Sequence, residues 1–186
     1  MRQPQLSTDR LLLRRWEEGD LDPFAAMNAD PAVTEYLLPP ITREQSEQLV
    51  ARTESSFENR GYGLWAVETK DERSFIGFVG LSFVDPDYPF GPAVEIGWRL
   101  GHRFWGHGYA TEAARSALAF GFDTLGLAEI VSFTVAGNRR SWAVMERLGM
   151  RRDTAGDFDH PRVPEGHPLR PHILYRIGAD RAGSAS

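Results

Sequence analysis

The sequence predicts a mixed α+β protein with a mostly antiparallel central sheet flanked by helices. Three observations carry this reading. The elements run strand, two helices, three strands, helix, strand, helix, two strands, and several adjacent strands are joined by hairpin turns, which argues against a doubly wound sheet. Residues 93–125 read as an extended run, a glycine-punctuated loop and a helix in direct succession. The chain has 186 residues, 41% hydrophobic and 25% charged, enough for one domain with its own core. A single domain over residues 1–186 is expected, with its core at about 8–178 and a disordered small, polar tail from 179.

Taken in order, residues 1–8 read as a loose lead-in and Arg10–Trp16 as a first strand. Asp20 is expected to cap a short helix through about Asn28, with Pro23 tolerated in its first turn and Asp30-Pro31 ending it. Residues 31–41 read as irregular, closed by Pro39-Pro40. Thr42 followed by Gln45 is a capping-box pattern for a helix over about 43–59, polar over most of its face. Gly61-Tyr62-Gly63 opens a strand through Glu68, Lys70–Arg73 is a turn, and Ser74–Val84 returns as a second strand. Residues 85–92 form a proline-rich loop before the strand Ala93–Leu100.

In the helix from Tyr109 to about Leu125, Ala110, Ala113, Ala114, Ala117, Leu118 and Phe122 recur at helical spacing as a stripe of mainly small apolar residues, and Gly126 marks its stop. Glu129–Val135 is β-branched enough for a strand. Asn138 is placed to cap a helix ending at Leu148, with Gly149 as its left-handed stop. Strands at Met150–Phe158 and His172–Ile177 flank a loop rich in proline and histidine.

The stretch Gly101-His-Arg-Phe-Trp-Gly-His-Gly108 between strand and helix suits a phosphorylated ligand. Its backbone N–H groups can converge at a helix N-terminus, where the helix dipole favours negative charge. Gly106 and Gly108 permit close approach and unusual backbone angles, and Arg103 can add a full charge. His107 counts for its backbone N–H only.

Composition excludes several chemistries. Without cysteine there are no disulfides, thiolate nucleophiles or cysteine-ligated zinc. The histidines and aspartates of 157–172 are too irregularly spaced for a metal site, so no metal is expected. A formal charge of −5 argues against nucleic-acid binding. No stretch is apolar and long enough to span a bilayer and no secretory leader is read at the start, so no membrane partner and a cytoplasmic location are expected. A dinucleotide fingerprint fails because Gly106-x-Gly108 lacks the third glycine and Glu129 opens the next strand rather than closing it. There is no Gly-Lys-Ser/Thr phosphate loop and no Gly-x-Ser-x-Gly elbow.

Arg103-x-x-Gly106-x-Gly108, within this order of elements, resembles the phosphate-loop pattern of the GNAT superfamily of acetyl-CoA-dependent N-acetyltransferases. Trp105-Gly-His-Gly-Tyr-Ala-Thr-Glu-Ala113, the opening Thr8-Asp9-Arg10-Leu11, and Asn138-x-x-Ser141 followed by Leu148-Gly149-Met150 are similar to the branch containing the ribosomal-protein N-terminal acetyltransferases, RimJ/RimL-like. The likeness spans about residues 8–177.

The resemblance implies a GNAT fold splayed at its central strands and acetyl-CoA as cosubstrate. It puts the pantetheine arm on Trp98, Arg99 and Leu100, the diphosphate on Arg103, Phe104, Trp105, Gly106, His107 and Gly108, and Tyr109 and Ala110 also among the cofactor-binding residues. Asn138 would reach the cofactor and Ser141 would sit by its sulfur. Many members use a tyrosine seven residues after the asparagine as general acid; here Met145 stands there, so that role does not carry over.

The chemistry asks for a neutral amine, a proton acceptor and an N–H donor for the tetrahedral oxyanion. Glu95, alternating away from Val94 and Ile96, is the candidate base, directly or through water, and Ser141 the candidate donor to the leaving sulfur. The bland readings stand beside these: a solvated strand carboxylate for Glu95, and cap residues for Ser141 and Asn138. Trp16, Glu35, Tyr36, Trp65, His160 and His172 are the acceptor-side candidates, with core packing the alternative for the aromatics. The acceptor is a primary amine, either a protein N-terminus or a small molecule. A non-catalytic acyl-CoA-binding or protein-interaction module on the same fold is the rival function, and a monomer and a homodimer are both compatible with the sequence.

Overall fold

A computed structural model describes residues 5–38 and 41–182. Eight strands form one mixed sheet: β1 (Leu6–Ser7), β2 (Leu11–Arg14), β3 (Leu64–Thr69), β4 (Phe75–Val84), β5 (Ala93–Leu100), β6 (Glu129–Thr134), β7 (Arg151–Asp159) and β8 (Pro171–Gly178). Their order is β1-β2-β3-β4-β5-β6-β8-β7. The recorded registers are antiparallel except for β5 with β6, which run parallel at Glu95↔Val131. Among the described residues six α-helices accompany them: α1 (Leu21–Ala29), α2 (Pro31–Thr34), α3 (Arg43–Arg60), α4 (Tyr109–Ala119), α5 (Arg139–Arg147) and α6 (Ala179–Ala182).

The chain divides into two compact units, Met1–Ser82 with Gly97–Ala117, and Phe83–Ile96 with Leu118–Ser186. In the first, Phe24 and Met27 of α1, Val50 of α3, Ala66 of β3 and Phe78 of β4 form one core with Trp16. The α3 capping box is present in both directions: Thr42 accepts from the Gln45 N–H, and Gln45 accepts from the Thr42 N–H. Ser46, Val50, Thr53 and Phe57 are the buried stripe of this largely polar helix. Ala113, Ala114 and Ala117 of α4 have no exposed surface, the close packing that their size allows. In the second unit, Val84, Tyr88, Val131, Phe158 and Leu174 pack together. Asn138 caps α5 by accepting from the Ser141 N–H, and Gly149 ends it at φ +80°.

Several expectations need correction. The lead-in contains a short strand, β1, paired with β2. Asp20 does not cap α1; its carboxylate is held by Arg14 at 2.7 and 2.9 Å and by the Glu17 N–H. Residues 31–34 are helical because Asp30 accepts from the Ala32 N–H and Pro31 suits a first helical turn. After Ala119 the helix widens into a π turn over Phe120–Thr124. The start of the tail is α6, while residues 183–186, like Pro39-Pro40 and residues 1–4, lie outside the described residues.

Candidate functional site

In the first unit, β5 leads into a 3₁₀ turn, His102–Phe104, and then into the glycine loop. The Gly101 N–H donates to the Ile76 carbonyl at 2.9 Å, and the Trp105 indole N–H to the Leu100 carbonyl at 2.8 Å. These bonds tie both ends of the turn to neighbouring backbone. Gly77 makes the close approach of β4 possible, since a Cβ there would lie 2.1 Å from the Arg99 carbonyl oxygen. Gly106 and Gly108 both sit at φ +80°. A Cβ on Gly106 would meet nothing within 4 Å, so glycine is required there by backbone conformation and not by crowding.

The first helical bond of α4 runs from the Glu112 N–H to the Gly108 carbonyl. Among the described residues no protein oxygen accepts from the N–H groups of Gly106, His107 or Gly108. Together with the first-turn N–H groups of α4, they make a donor set suited to an anion. Arg103 is exposed, its guanidinium 4.5 Å from the Phe104 ring centroid. The His107 ring stacks on Tyr109 at 5.4 Å.

The head of α4 is anchored by residues about a hundred positions away. The Glu112 carboxylate accepts from the Thr8 hydroxyl at 2.6 Å, the Arg10 N–H at 3.0 Å and the Arg10 Nε at 2.7 Å. Burial pushes this carboxyl up, but the Thr8 and Arg10 donors outweigh it and hold it below the ordinary glutamate value. Arg10 also lies over the Tyr109 ring at 4.6 Å. Thr8 and Arg10 had a visible pattern in the sequence, but nothing local to them revealed that their partner is Glu112.

In the second unit, Glu95 is half-buried in β5 opposite Val131. The Ser132 hydroxyl donates to the adjoining Ile96 carbonyl at 2.9 Å. Asn138 is engaged at both ends of its amide: Oδ1 accepts from the Ser141 N–H at 3.3 Å and Nδ2 donates to Thr134 Oγ1 at 3.1 Å. Its capping role is therefore real. The Ser141 hydroxyl is half-buried and has no protein partner among the described residues. Met145 is 1% exposed and belongs to the core.

The same unit holds a ring cluster that sequence reasoning missed apart from its histidines. Tyr88, Phe90, Phe133, Phe158, His160 and His172 lie at centroid separations of 4.8–6.3 Å. The Tyr88 hydroxyl is 3.2 Å from His160 Nε2. Burial, then the neighbouring His172 and Arg162, push His160 down to about 4, and burial also lowers His172. Both imidazoles are therefore neutral near pH 7. Burial raises the Tyr88 hydroxyl; the Arg162 charge opposes this and the Glu95 charge adds to it, which puts Glu95 within electrostatic reach of the cluster.

Two acceptor-side candidates are corrected. Trp65 has no exposed surface and packs edge-on against Phe57 at 5.2 Å. Trp16 is 9% exposed and its indole donates to the Leu64 carbonyl at 2.8 Å. Both are core residues. Glu35 is exposed and Tyr36 half-buried immediately after α2. Among the described residues no group of three or more histidines or carboxylates is placed to hold a metal ion, and no helix is long and apolar enough to cross a membrane.

Residues 10–151 match the family model described as an acetyltransferase (GNAT) domain. The chain is 27% identical to the uncharacterized N-acetyltransferase YnaD of Bacillus subtilis, over 92% of this chain and 95% of that protein. It superposes on a GNAT-family acetyltransferase from Bacillus anthracis with a TM-score of 0.77 and 26% identity, covering 95% and 99% of the two chains. Mycobacterium smegmatis RimJ, solved in complex with CoA-disulfide, shares the fold at a TM-score of 0.76 and 18% identity, over 97% and 90% of the chains. The loop, the sheet order and these likenesses converge: the chain belongs to the GNAT acetyltransferase family.

Proposed function

We propose that this protein transfers the acetyl group of acetyl-CoA to a primary amine by direct attack in a ternary complex. One observation carries the reading: two left-handed glycines, Gly106 and Gly108, at the head of α4, with backbone N–H groups that no protein oxygen uses among the described residues. That donor set suits the diphosphate of coenzyme A, with Arg103 as the nearby charge. Trp98–Leu100 line the pantetheine arm, and Asn138 and Ser141 serve the thioester end.

In the reaction the amine nitrogen bonds to the thioester carbon and the C–S bond breaks. The coenzyme A thiolate takes up a proton, and the ammonium that forms loses one to Glu95, directly or through water. The Ser141 hydroxyl is the donor available to the leaving sulfur, because Met145 has no proton to give. The acceptor is a protein N-terminus or a small amine.

Calorimetric titration with acetyl-CoA, followed by turnover on an amine panel, tests the reading. Because the chain has no cysteine, thiol reagents report released coenzyme A without background. Micromolar binding and turnover are expected. Binding without turnover on any amine favours the non-catalytic alternative, and no binding refutes the site. Glu95→Gln is expected to lower turnover while acetyl-CoA affinity holds; unchanged turnover removes Glu95 as the base.

A further inference from the structure

Arg99 differs from Arg14, another half-buried arginine of the first unit. Arg14 donates to Asp20 at 2.7 and 2.9 Å and to Glu68 at 2.9 Å, and the Asp20 hydrogen bond, against burial, raises its pKa. Arg99 has no carboxylate partner among the described residues. Its Nη1 donates to Asn28 Oδ1 at 2.8 Å, and its guanidinium lies over the Phe78 ring at 5.3 Å. Burial alone lowers it to about 10.

The amide that holds it is itself fixed. Asn28 is 2% exposed and its Nδ2 donates to Ser46 Oγ at 2.8 Å; Ser46, 1% exposed, donates to the Thr42 carbonyl at 3.0 Å. Asn28 is thus held with its oxygen toward Arg99, and the Phe78 ring packs beside the guanidinium. A desolvated cation without a counter-charge is unfavourable in the free protein, although the chain has 26 acidic residues against 21 basic ones. A guanidinium has five N–H donors in a rigid fork. Here one group is engaged, and Nε and Nη2 have no protein acceptor among the described residues. This is a positioned fork with no counter-ion among the described residues.

We propose that Arg99, oriented by Asn28 and Phe78, is a carboxylate-recognition site, so that the preferred acceptor is a primary amine bearing a carboxylate. This rests on the proposed acetyl transfer, in which the Arg99 backbone lines the pantetheine arm while its side chain reads the acceptor. A carboxylate accepts two parallel bonds from the fork and neutralises the charge. The source is either the α-carboxylate of a free amino acid or an acidic side chain near a peptide N-terminus.

The test uses the full chain, saturating acetyl-CoA and matched acceptors: free amino acids against their amides, and peptides with aspartate against asparagine at the second position. The wild type is expected to favour the carboxylate member of at least one series by about 10- to 100-fold in kcat/KM, and the favoured series identifies the source. Arg99→Met should erase that preference, and Arg99→Lys should restore part of it; melting temperatures check that both variants fold. In parallel, calorimetry on the coenzyme A-loaded protein compares N-acetylglycine and N-acetyl-aspartyl peptide with their amide and asparagine counterparts. Equal rates and equal binding within every pair, or a preference that survives Arg99→Met, overturn the inference while leaving acetyl transfer standing. Arg99-dependent binding of a carboxylate probe without any turnover does the reverse.

Discussion

The glycine loop at the head of α4 and the ring cluster of the second unit are built on opposite plans. The loop is one run of residues, 101–108, whose proposed role rests on the N–H groups of Gly106, His107 and Gly108, which no protein oxygen uses among the described residues. The cluster is assembled from four separate segments, contributing Tyr88 and Phe90, Phe133, Phe158 with His160, and His172, and its rings satisfy one another. Groups left unsatisfied in a folded protein are places where a ligand can gain free energy, whereas satisfied packing contributes to stability. The loop should therefore respond in ligand affinity, and the cluster in unfolding free energy.

The largest expected effect lies in the cluster. Phe158, 8% exposed, when replaced by alanine, is expected to lose about 3–5 kcal/mol of stability in urea unfolding, with acetyl-CoA affinity unchanged in the folded fraction. A parallel fall in affinity would break the contrast.

Next is pH. The folded state holds His160 near 4 against an ordinary 6.5, so between these values the unfolded chain binds more protons. Stability is complete above about pH 6.5 and declines as pH falls toward 4. His160 accounts for about 2 kcal/mol of that decline after allowance for its partial exposure. Unfolding midpoints of wild type and His160→Phe across this window measure it, and equal slopes would refute the assignment.

Gly106→Val then tests the loop. A β-branched residue at φ +80° is expected to cost about 1–2 kcal/mol in stability and to weaken acetyl-CoA binding about tenfold or more by turning the N–H groups away. Loss of stability with intact affinity would remove the loop from the binding site. The smallest effect is expected at its anchor: Glu112→Gln weakens the Thr8 and Arg10 bonds and should lower stability by about 1 kcal/mol, with a smaller change in acetyl-CoA affinity than Gly106→Val.

Sequence legibility follows the same division. The capping box of α3, the alanine stripe of α4, the Asn138 cap and the Gly149 stop were readable because each depends on residues within one or two turns of each other. Asp20 was misread for the complementary reason: its spacing suits a cap, but Arg14 offers two charged hydrogen bonds at close range and takes the carboxylate. Trp16 and Trp65 were legible as aromatics, while their enclosure depended on α1, α3 and the sheet. Glu112 could be placed on α4, but its partners Thr8 and Arg10 lie about a hundred residues earlier.

By itself the sequence determined the longer elements, their order, the family and the glycine loop, because helix periodicity, caps and left-handed turns are set by neighbours along the chain. Only the tertiary structure decided that Arg99 is oriented by Asn28 with no carboxylate partner among the described residues, that Glu112 is shared by Thr8 and Arg10, and that two histidines sit neutral among four other rings. Burial and charge pairing are properties of groups brought together in space, and no local pattern encodes which distant side chain arrives.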